Sequence, residues 1–110
     1  MSAVHINQAQ FESLIRQENP VLVNFRAPWC GYCRRIDAAY DRLARDLEGK
    51  LAVTAVNIDD HPDLAREQEI EVVPTLVLYR GGQELDSIVA PESQSMIEAF
   101  LRRALTNEGA

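Results

Sequence analysis

The two cysteines of this 110-residue chain, Cys30 and Cys33, have the spacing best suited to chemistry. A nearly uninterrupted apolar run at residues 21–25 predicts a buried strand before them, and a helical apolar stripe follows them. Cys30 would then lie at a helix N-terminus, where free N–H groups and the helix dipole stabilise a thiolate, the nucleophile of disulfide exchange. Cys33, one turn further along, would be close enough to attack the resulting mixed disulfide. The pair is therefore a candidate redox dithiol.

Two other interpretations of the pair stay open. A zinc site needs two further ligands, but there is no second C-x-x-C, and the only histidines, His5 and His61, are not paired with another. Two unreactive core cysteines would agree with the frequent burial of free cysteine, although Trp29, Gly31 and the helix start fit that interpretation poorly. A secreted disulfide scaffold would need more cysteines, spread more widely. We therefore predict no metal at this site.

The elements that must position the cysteines alternate along the chain. Their predicted bounds are residues 3–6, 7–18, 21–25, 30–48, 51–58, 62–68, 75–79, 84–89 and 93–105. Asn7 and Gln10 resemble a capping box at the first helix, Gly81-Gly82 marks a hairpin, and Ser93 can cap the last helix. Residues 106–110 are expected to fray. The order β-α-β-α-β-α-β-β-α predicts an α/β fold, with a central mixed β-sheet flanked by helices on both faces.

Length and charge exclude several classes of protein. The chain suits one domain, residues 1–110. Seventeen acidic against eleven basic residues give a net charge of -6, which repels phosphate backbones, so no nucleic acid partner is expected. No apolar run reaches the ~20 residues that cross a bilayer, and the N-terminal residues lack the basic start and apolar core of a secretory signal. We therefore expect a cytoplasmic protein that does not engage a membrane.

The segment around the cysteines resembles the active-site strand and loop of thioredoxins; residues 21–33 read VLVNFRAPWCGYC. Residues 73–75, VPT, resemble the family's cis-proline loop, and residues 80–82, RGG, resemble its hairpin turn. The match runs in register over residues 6–105. The resemblance therefore implies the thioredoxin fold.

The resemblance also implies roles for the residues of the active-site loop. Cys30 would be the exposed nucleophile and Cys33 the resolving thiol, which together form the redox-active disulfide. Trp29 would shield the site, and Gly31 and Tyr32 would complete the loop between the cysteines.

On the substrate side, the resemblance implies that Pro74 is cis and faces the cysteines, while the backbone of Val73 pairs with an extended substrate segment. Local statistics alone favour a trans bond at Pro74, because only ~5–6% of such bonds are cis. Ala90 stands where a surface glycine commonly lines the substrate groove of the family.

Several residues depart from the family's usual pattern. Asn24 replaces a buried Asp that accepts the proton of the resolving thiol, which an amide cannot do, and Ala55 replaces a nearby Lys. We expect Asn24 either to be a satisfied buried polar residue or to bind water or the region of Cys33. Tyr32 replaces a proline and is expected to point to solvent, and Arg26 replaces a second Trp. These departures predict a couple less reducing than the ~-270 mV of thioredoxin.

The leading hypothesis is a thiol–disulfide oxidoreductase that reduces protein disulfides through Cys30 and Cys33 and contributes to cell redox homeostasis. The resemblance implies recycling by a thioredoxin reductase; we expect no bound cofactor and a monomer. A second hypothesis, motivated by Gly31-Tyr32 and the missing acid, is a disulfide oxidase, an isomerase or a glutaredoxin-like, glutathione-linked enzyme. A third is a client-binding module without redox turnover, which the two intact cysteines disfavour.

Overall fold

The computed structural model describes residues 3–108, with side chains to residue 106. Over this range the chain forms β1 (Val4–His5), α1 (Gln8–Ile15), β2 (Val21–Arg26), α2 (Gly31–Asp46), β3 (Ala52–Asn57), α3 (Pro62–Glu67), β4 (Thr75–Arg80), β5 (Gln83–Val89) and α4 (Gln94–Glu108). The strand order in the sheet is β1-β3-β2-β4-β5. β1 and β2 run parallel to β3, whereas β4 runs antiparallel to β2 and to β5. The predicted mixed sheet is confirmed, with β2 at its centre.

The two faces of the sheet are covered by different helices. Since side chains alternate along a strand, even-numbered residues of β2 face one side and odd-numbered residues the other. The first core contains Leu22, Leu76 and Leu78 from the sheet, with Ile36, Tyr40 and Leu43 from α2 and Ile97 and Phe100 from α4. The second contains Val21, Val23, Phe25 and Val77, with Phe11 from α1 and Leu64 from α3. Helices therefore cover both faces, as predicted.

Local signals account for most helix ends. The capping box of α1 is present, because the side chains of Asn7 and Gln10 each accept the backbone N–H of the other, at 2.9 and 2.8 Å. Ser93 Oγ accepts the N–H of Met96 at 3.2 Å, so the predicted cap of α4 is also present. α1 ends at Ile15 and not near residue 18. α4 continues through residues 106–108, where we expected fraying; residues 109 and 110 lie outside the described residues.

The β4–β5 hairpin positions the proline loop, which directly precedes β4, beside the cysteines. Gly81 and Gly82 form its turn with φ of +59° and +85°, a region that glycine enters without strain. Thr75 pairs with Val89, and the Ala90 N–H donates to the Pro74 carbonyl at 2.8 Å. The end of β5 therefore lies beside the proline loop. Among the described residues no helix is long and apolar enough to span a membrane.

Candidate active site

Cys30 lies where the central strand gives way to a helix. It is the N-cap residue of α2, with extended backbone dihedrals, and its Sγ accepts the backbone N–H of Cys33 at 3.2 Å. Its thiol donates to the Val73 carbonyl at 3.6 Å. Hydrogen bonding to sulfur and the positive end of the helix dipole both stabilise a thiolate at this position. The predicted helix start at the cysteine pair is therefore confirmed.

The two thiols differ in their access to solvent. Cys30 is only 6% exposed, so the expectation of an exposed nucleophile is wrong for the unbound protein, whose cysteine packs between the Val73 and Ala27 segments. Cys33 is fully buried, and both cysteines are free thiols. Only Cys30 therefore has an edge that a substrate disulfide can reach.

Burial also distinguishes Cys33 chemically. Desolvation, together with the interaction with the Cys30 side chain, raises the pKa of Cys33 to about 11. A hydrogen bond with the backbone of Ala27 and the positive charge of Arg26 both lower the pKa and so partly oppose this rise. Cys33 is therefore protonated at neutral pH, and it must lose a proton before it can act as a nucleophile.

A proline loop faces the dithiol. The Val73–Pro74 peptide bond is cis, as the family resemblance implies and against the expectation from local statistics. The Thr75 hydroxyl donates to the Val72 carbonyl, which closes this loop onto β4. Val72 and Val89 are exposed apolar side chains beside Pro74. The loop and the end of β5 thus place exposed apolar side chains near Cys30, on a surface that we call the groove.

Trp29 and Tyr32 are exposed aromatic side chains that flank Cys30 in the active-site loop. Trp29 is 64% exposed, and its indole N–H donates to Asp59 at 3.2 Å, so its shielding role stays a prediction. Tyr32 is 61% exposed, as predicted for a solvent-facing residue, and the Arg35 guanidinium lies 5.1 Å from the centre of its ring. That distance permits a cation–π contact.

The Asn24 side chain has no hydrogen-bond partner among the described residues. It lies on β2 between Ala55 and Leu76, on the face covered by α2, and is fully buried. No protein group pairs with its Oδ1 or Nδ2, so the expectation of a bond to the Cys33 region or to another protein group is wrong, while the expected bond to a water stays a prediction. A neutral, unpaired amide therefore occupies the position where the family's usual pattern has a carboxylate.

Arg26 and Asp37 form a partly buried ion pair that sequence reasoning did not find, with the Asp37 side chain 43% exposed. Arg26 Nε donates to Asp37 Oδ1 at 3.2 Å and Nη2 to Oδ2 at 3.0 Å, and the Arg26 side chain is 11% exposed. The signal was available: Arg26 is two residues after Asn24 on the same strand face, and Asp37 is four residues after Cys33 on α2.

Ala90 has a positive φ of +47° at the edge of the groove, where its Cβ is strained. Elsewhere, His5 and His61 line one polar cavity at the C-terminal end of β1 and the N-terminal end of α3, which neither cysteine lines. Within residues 3–108, no three His, Cys, Asp or Glu side chains converge as a metal site would require. The zinc interpretation therefore has no ligand set to support it.

A dithiol at the start of a helix, next to the central strand and opposite a cis-proline loop, is the site of a thiol–disulfide oxidoreductase. The chain belongs to the thioredoxin family, whose sequence profile matches residues 2–103. The thioredoxin of Porphyra purpurea is 34% identical over 107 residues, covering 96% of this chain and all of that protein. The Synechocystis thioredoxin is 36% identical with the same coverage. The Malassezia sympodialis thioredoxin structure shares the fold, with a TM-score of 0.84 over 94% of this chain and 92% of its own, at 24% identity.

Proposed function

We propose that this protein reduces protein disulfides through Cys30 and Cys33, as a monomeric single domain of residues 1–110 in the cytoplasm. The observation that carries the proposal is the unequal environment of the two thiols. Cys30 receives a backbone N–H at the helix start and borders the groove, whereas Cys33 is fully buried with its pKa raised to about 11. Cys30 is therefore the attacking sulfur and Cys33 the resolving sulfur.

The reaction has two displacements. The Cys30 thiolate attacks one sulfur of a substrate disulfide, forms a mixed disulfide, and releases the other substrate sulfur as a thiolate. Cys33 then gives up its proton and attacks Cys30 Sγ, so that the Cys30–Cys33 bond forms and the second substrate sulfur leaves. The substrate gains two electrons and two protons, and the protein is left oxidised. Because the cysteines are the redox group, we propose no bound cofactor and a thioredoxin reductase as the recycling partner.

The substrate segment docks in an extended conformation. Backbone groups of Val73, beside the cis bond to Pro74, would pair with it as an added strand. The Val73 carbonyl already accepts the Cys30 thiol at 3.6 Å, so a segment bound there lies next to the nucleophile. Trp29 and Ala90 line the groove on either side, and the exposed Val72 and Val89 offer apolar contact.

The couple is less reducing than the ~-270 mV reference of thioredoxin. The departures from the family's usual pattern support this difference, with Asn24 in place of the buried acid and Tyr32 in place of the proline between the cysteines. A change of ~30 mV in this two-electron couple corresponds to about 1.4 kcal/mol, which one charge-assisted hydrogen bond supplies. Equilibration with glutathione buffers measures the potential, and a value at or below the reference would refute this part of the proposal.

Insulin-disulfide reduction, coupled to NADPH and a thioredoxin reductase, tests the activity itself. Wild type should turn over, Cys30→Ser should not, and Cys33→Ser should accumulate a mixed disulfide visible by mass spectrometry. Insulin reduction retained in Cys30→Ser would refute the mechanism. The neutral Asn24 motivates one alternative, a glutathione-linked, oxidising or isomerising enzyme. Faster turnover with glutathione than with the reductase would favour that alternative.

A further inference from the structure

The Arg26–Asp37 ion pair joins the end of β2 to the active-site helix α2. Arg26 is the last residue of β2 and shares the α2-facing side of the sheet with Asn24. Two hydrogen bonds, at 3.2 and 3.0 Å, fix its guanidinium against the Asp37 carboxylate. Asp37 follows Cys33 by one helical turn, so the pair and the resolving thiol lie on the same side of α2. With the Arg26 side chain 11% exposed, solvent screens its charge only weakly.

The immediate surroundings of Cys33 are otherwise uncharged. Ala27, Ile58 and Val73 pack around the two cysteines, and none of these side chains is ionisable. Asp37 adds a carboxylate one helical turn beyond Cys33, and its side chain is 43% exposed. The other titratable or charged groups that act on Cys33, among the described residues, are the Cys30 thiol and the Arg26 guanidinium. They act in opposite directions, because an anionic Cys30 disfavours a second thiolate and a cation favours it.

We propose that Arg26, held in place by Asp37, is a positioning residue of the resolving step, in which its fixed charge stabilises the Cys33 thiolate. The inference rests on the proposed function, since this step follows formation of the mixed disulfide. Asn24 cannot accept the proton of Cys33, because an amide has no site that takes one up. The Cys33 thiolate itself must therefore be stabilised, and the charge of Arg26 does this.

The atoms and electrons of the step balance. The Cys33 proton passes to the departing substrate thiolate, directly or through solvent. The Cys33 electron pair forms the bond to Cys30 Sγ, and the bond between that sulfur and the substrate breaks. Arg26 exchanges no proton or electron, since its guanidinium stays charged throughout.

Rapid mixing of the reduced protein with Ellman's reagent isolates the step. Attack by Cys30 releases one thionitrobenzoate in a reaction that depends on reagent concentration. Attack by Cys33 on the mixed disulfide releases a second in a first-order reaction independent of reagent concentration. The pH profile of that second phase reports ionisation of Cys33, and no protein substrate or reductase is required.

Three variants at the ion pair separate charge from packing. In Arg26→Met the profile should move to higher pH, with the second phase at pH 7 slower by roughly three- to tenfold, as for a shift of 0.5–1 pKa unit. In Asp37→Asn the opposing charge is removed, so the profile should move to lower pH. Arg26→Lys retains the charge and should stay close to wild type.

Arg42→Met is the matched control, because it removes the same charge from α2 nine residues beyond Cys33, about 13 Å along the axis and outside the Debye length. Its profile should equal that of wild type. If the pH profiles of Arg26→Met and Asp37→Asn shift in the same direction by the same amount, the ion pair only holds α2 in place. That result would overturn the inference. Arg26→Lys behaving like Arg26→Met, or an unchanged profile in Arg26→Met, would also overturn it. A wild-type protein that releases only one thionitrobenzoate would instead refute the proposed function.

Discussion

Replacing Asn24 by valine should stabilise the reduced protein. The side chain is fully buried on the central strand, and neither amide atom has a partner among the described residues. An unsatisfied buried polar group costs ~1–3 kcal/mol, so the two atoms together cost ~2–6 kcal/mol. Fitting a branched side chain into the same space costs ~1–3 kcal/mol. About 2 kcal/mol of stabilisation should remain, which for a domain of this size raises the Tm by roughly 8 °C.

Urea unfolding of the reduced proteins measures this difference. The free energy of unfolding should depend equally steeply on urea concentration in both proteins, so that a change in midpoint reports a change in stability. Thr54→Val is the matched control, because Thr54 is buried in the neighbouring strand and its hydroxyl donates to the Leu22 carbonyl at 2.9 Å. Losing that satisfied bond should destabilise the protein by about 1 kcal/mol. The two substitutions should therefore change stability in opposite directions.

If Asn24→Val destabilises the protein as much as Thr54→Val does, the reasoning is refuted. That result would mean that the Asn24 amide is hydrogen-bonded in solution. Asn24→Ala guards against a poor fit of valine, since it removes both polar atoms without adding branches. If Asn24→Ala is more stable than wild type and Asn24→Val is less stable, the loss with valine comes from poor packing. The gain with alanine would still come from removal of the unpaired amide.

Other predictions concern backbone strain and the buried thiol. Ala90→Gly should stabilise the protein by about 0.5–1 kcal/mol, because it relieves a positive φ, and should also change kcat/KM for insulin, since the residue lines the groove. Glu69→Gly relieves a similar φ of +58° outside the groove, so it should give a similar gain in urea unfolding with no change in kcat/KM. Because the pKa of Cys33 is raised from 9.0 to about 11 in the fold, its contribution to stability is fully present below pH 9 and is lost as pH rises toward 11. By linkage the loss is about 2 kcal/mol. The difference between wild type and Cys33→Ala across that range isolates this thiol from Tyr40 and Tyr79, whose pKa values burial also raises. Parallel stability curves for the two proteins would contradict the assigned environment of Cys33.

The helix start at the cysteines was predictable because its signals are local. A buried apolar run ends at residue 25, and Ile36, Tyr40 and Leu43 continue a helical stripe after the cysteines. The capping box of α1 was predictable for the same reason, since both partners lie within one turn. Apolar runs of the same kind also predicted which segments form the strands of the sheet. The shorter β1 and α1 show where such signals are weakest, at the ends of elements.

Features that depend on distant residues were not accessible in this way. The Val73–Pro74 bond is cis next to a cysteine more than forty residues away in the chain, and local statistics point to trans. Asn24 was expected to find a partner, since buried polar groups usually do; its lack of one depends on the apolar residues that β3 and β4 place beside it. Arg26 was visible as a departure from the family, but its binding to Asp37 depends on how α2 lies across the sheet.

In the proposed mechanism, Asn24 and Arg26 replace an internal proton acceptor with a fixed positive charge near the resolving thiol. An internal carboxylate accepts the proton of the resolving thiol, so the rate levels off once that acid is ionised. A fixed cation accepts nothing; it lowers the free energy of the thiolate and leaves the proton to solvent or to the departing sulfur. The rate of the resolving step should therefore rise steadily with pH until Cys33 itself is ionised, without an earlier plateau. Since the pKa of Cys33 in the free dithiol is about 11, most of that rise lies above neutral pH. At neutral pH the mixed disulfide on Cys30 should consequently live longer than it would beside an internal base.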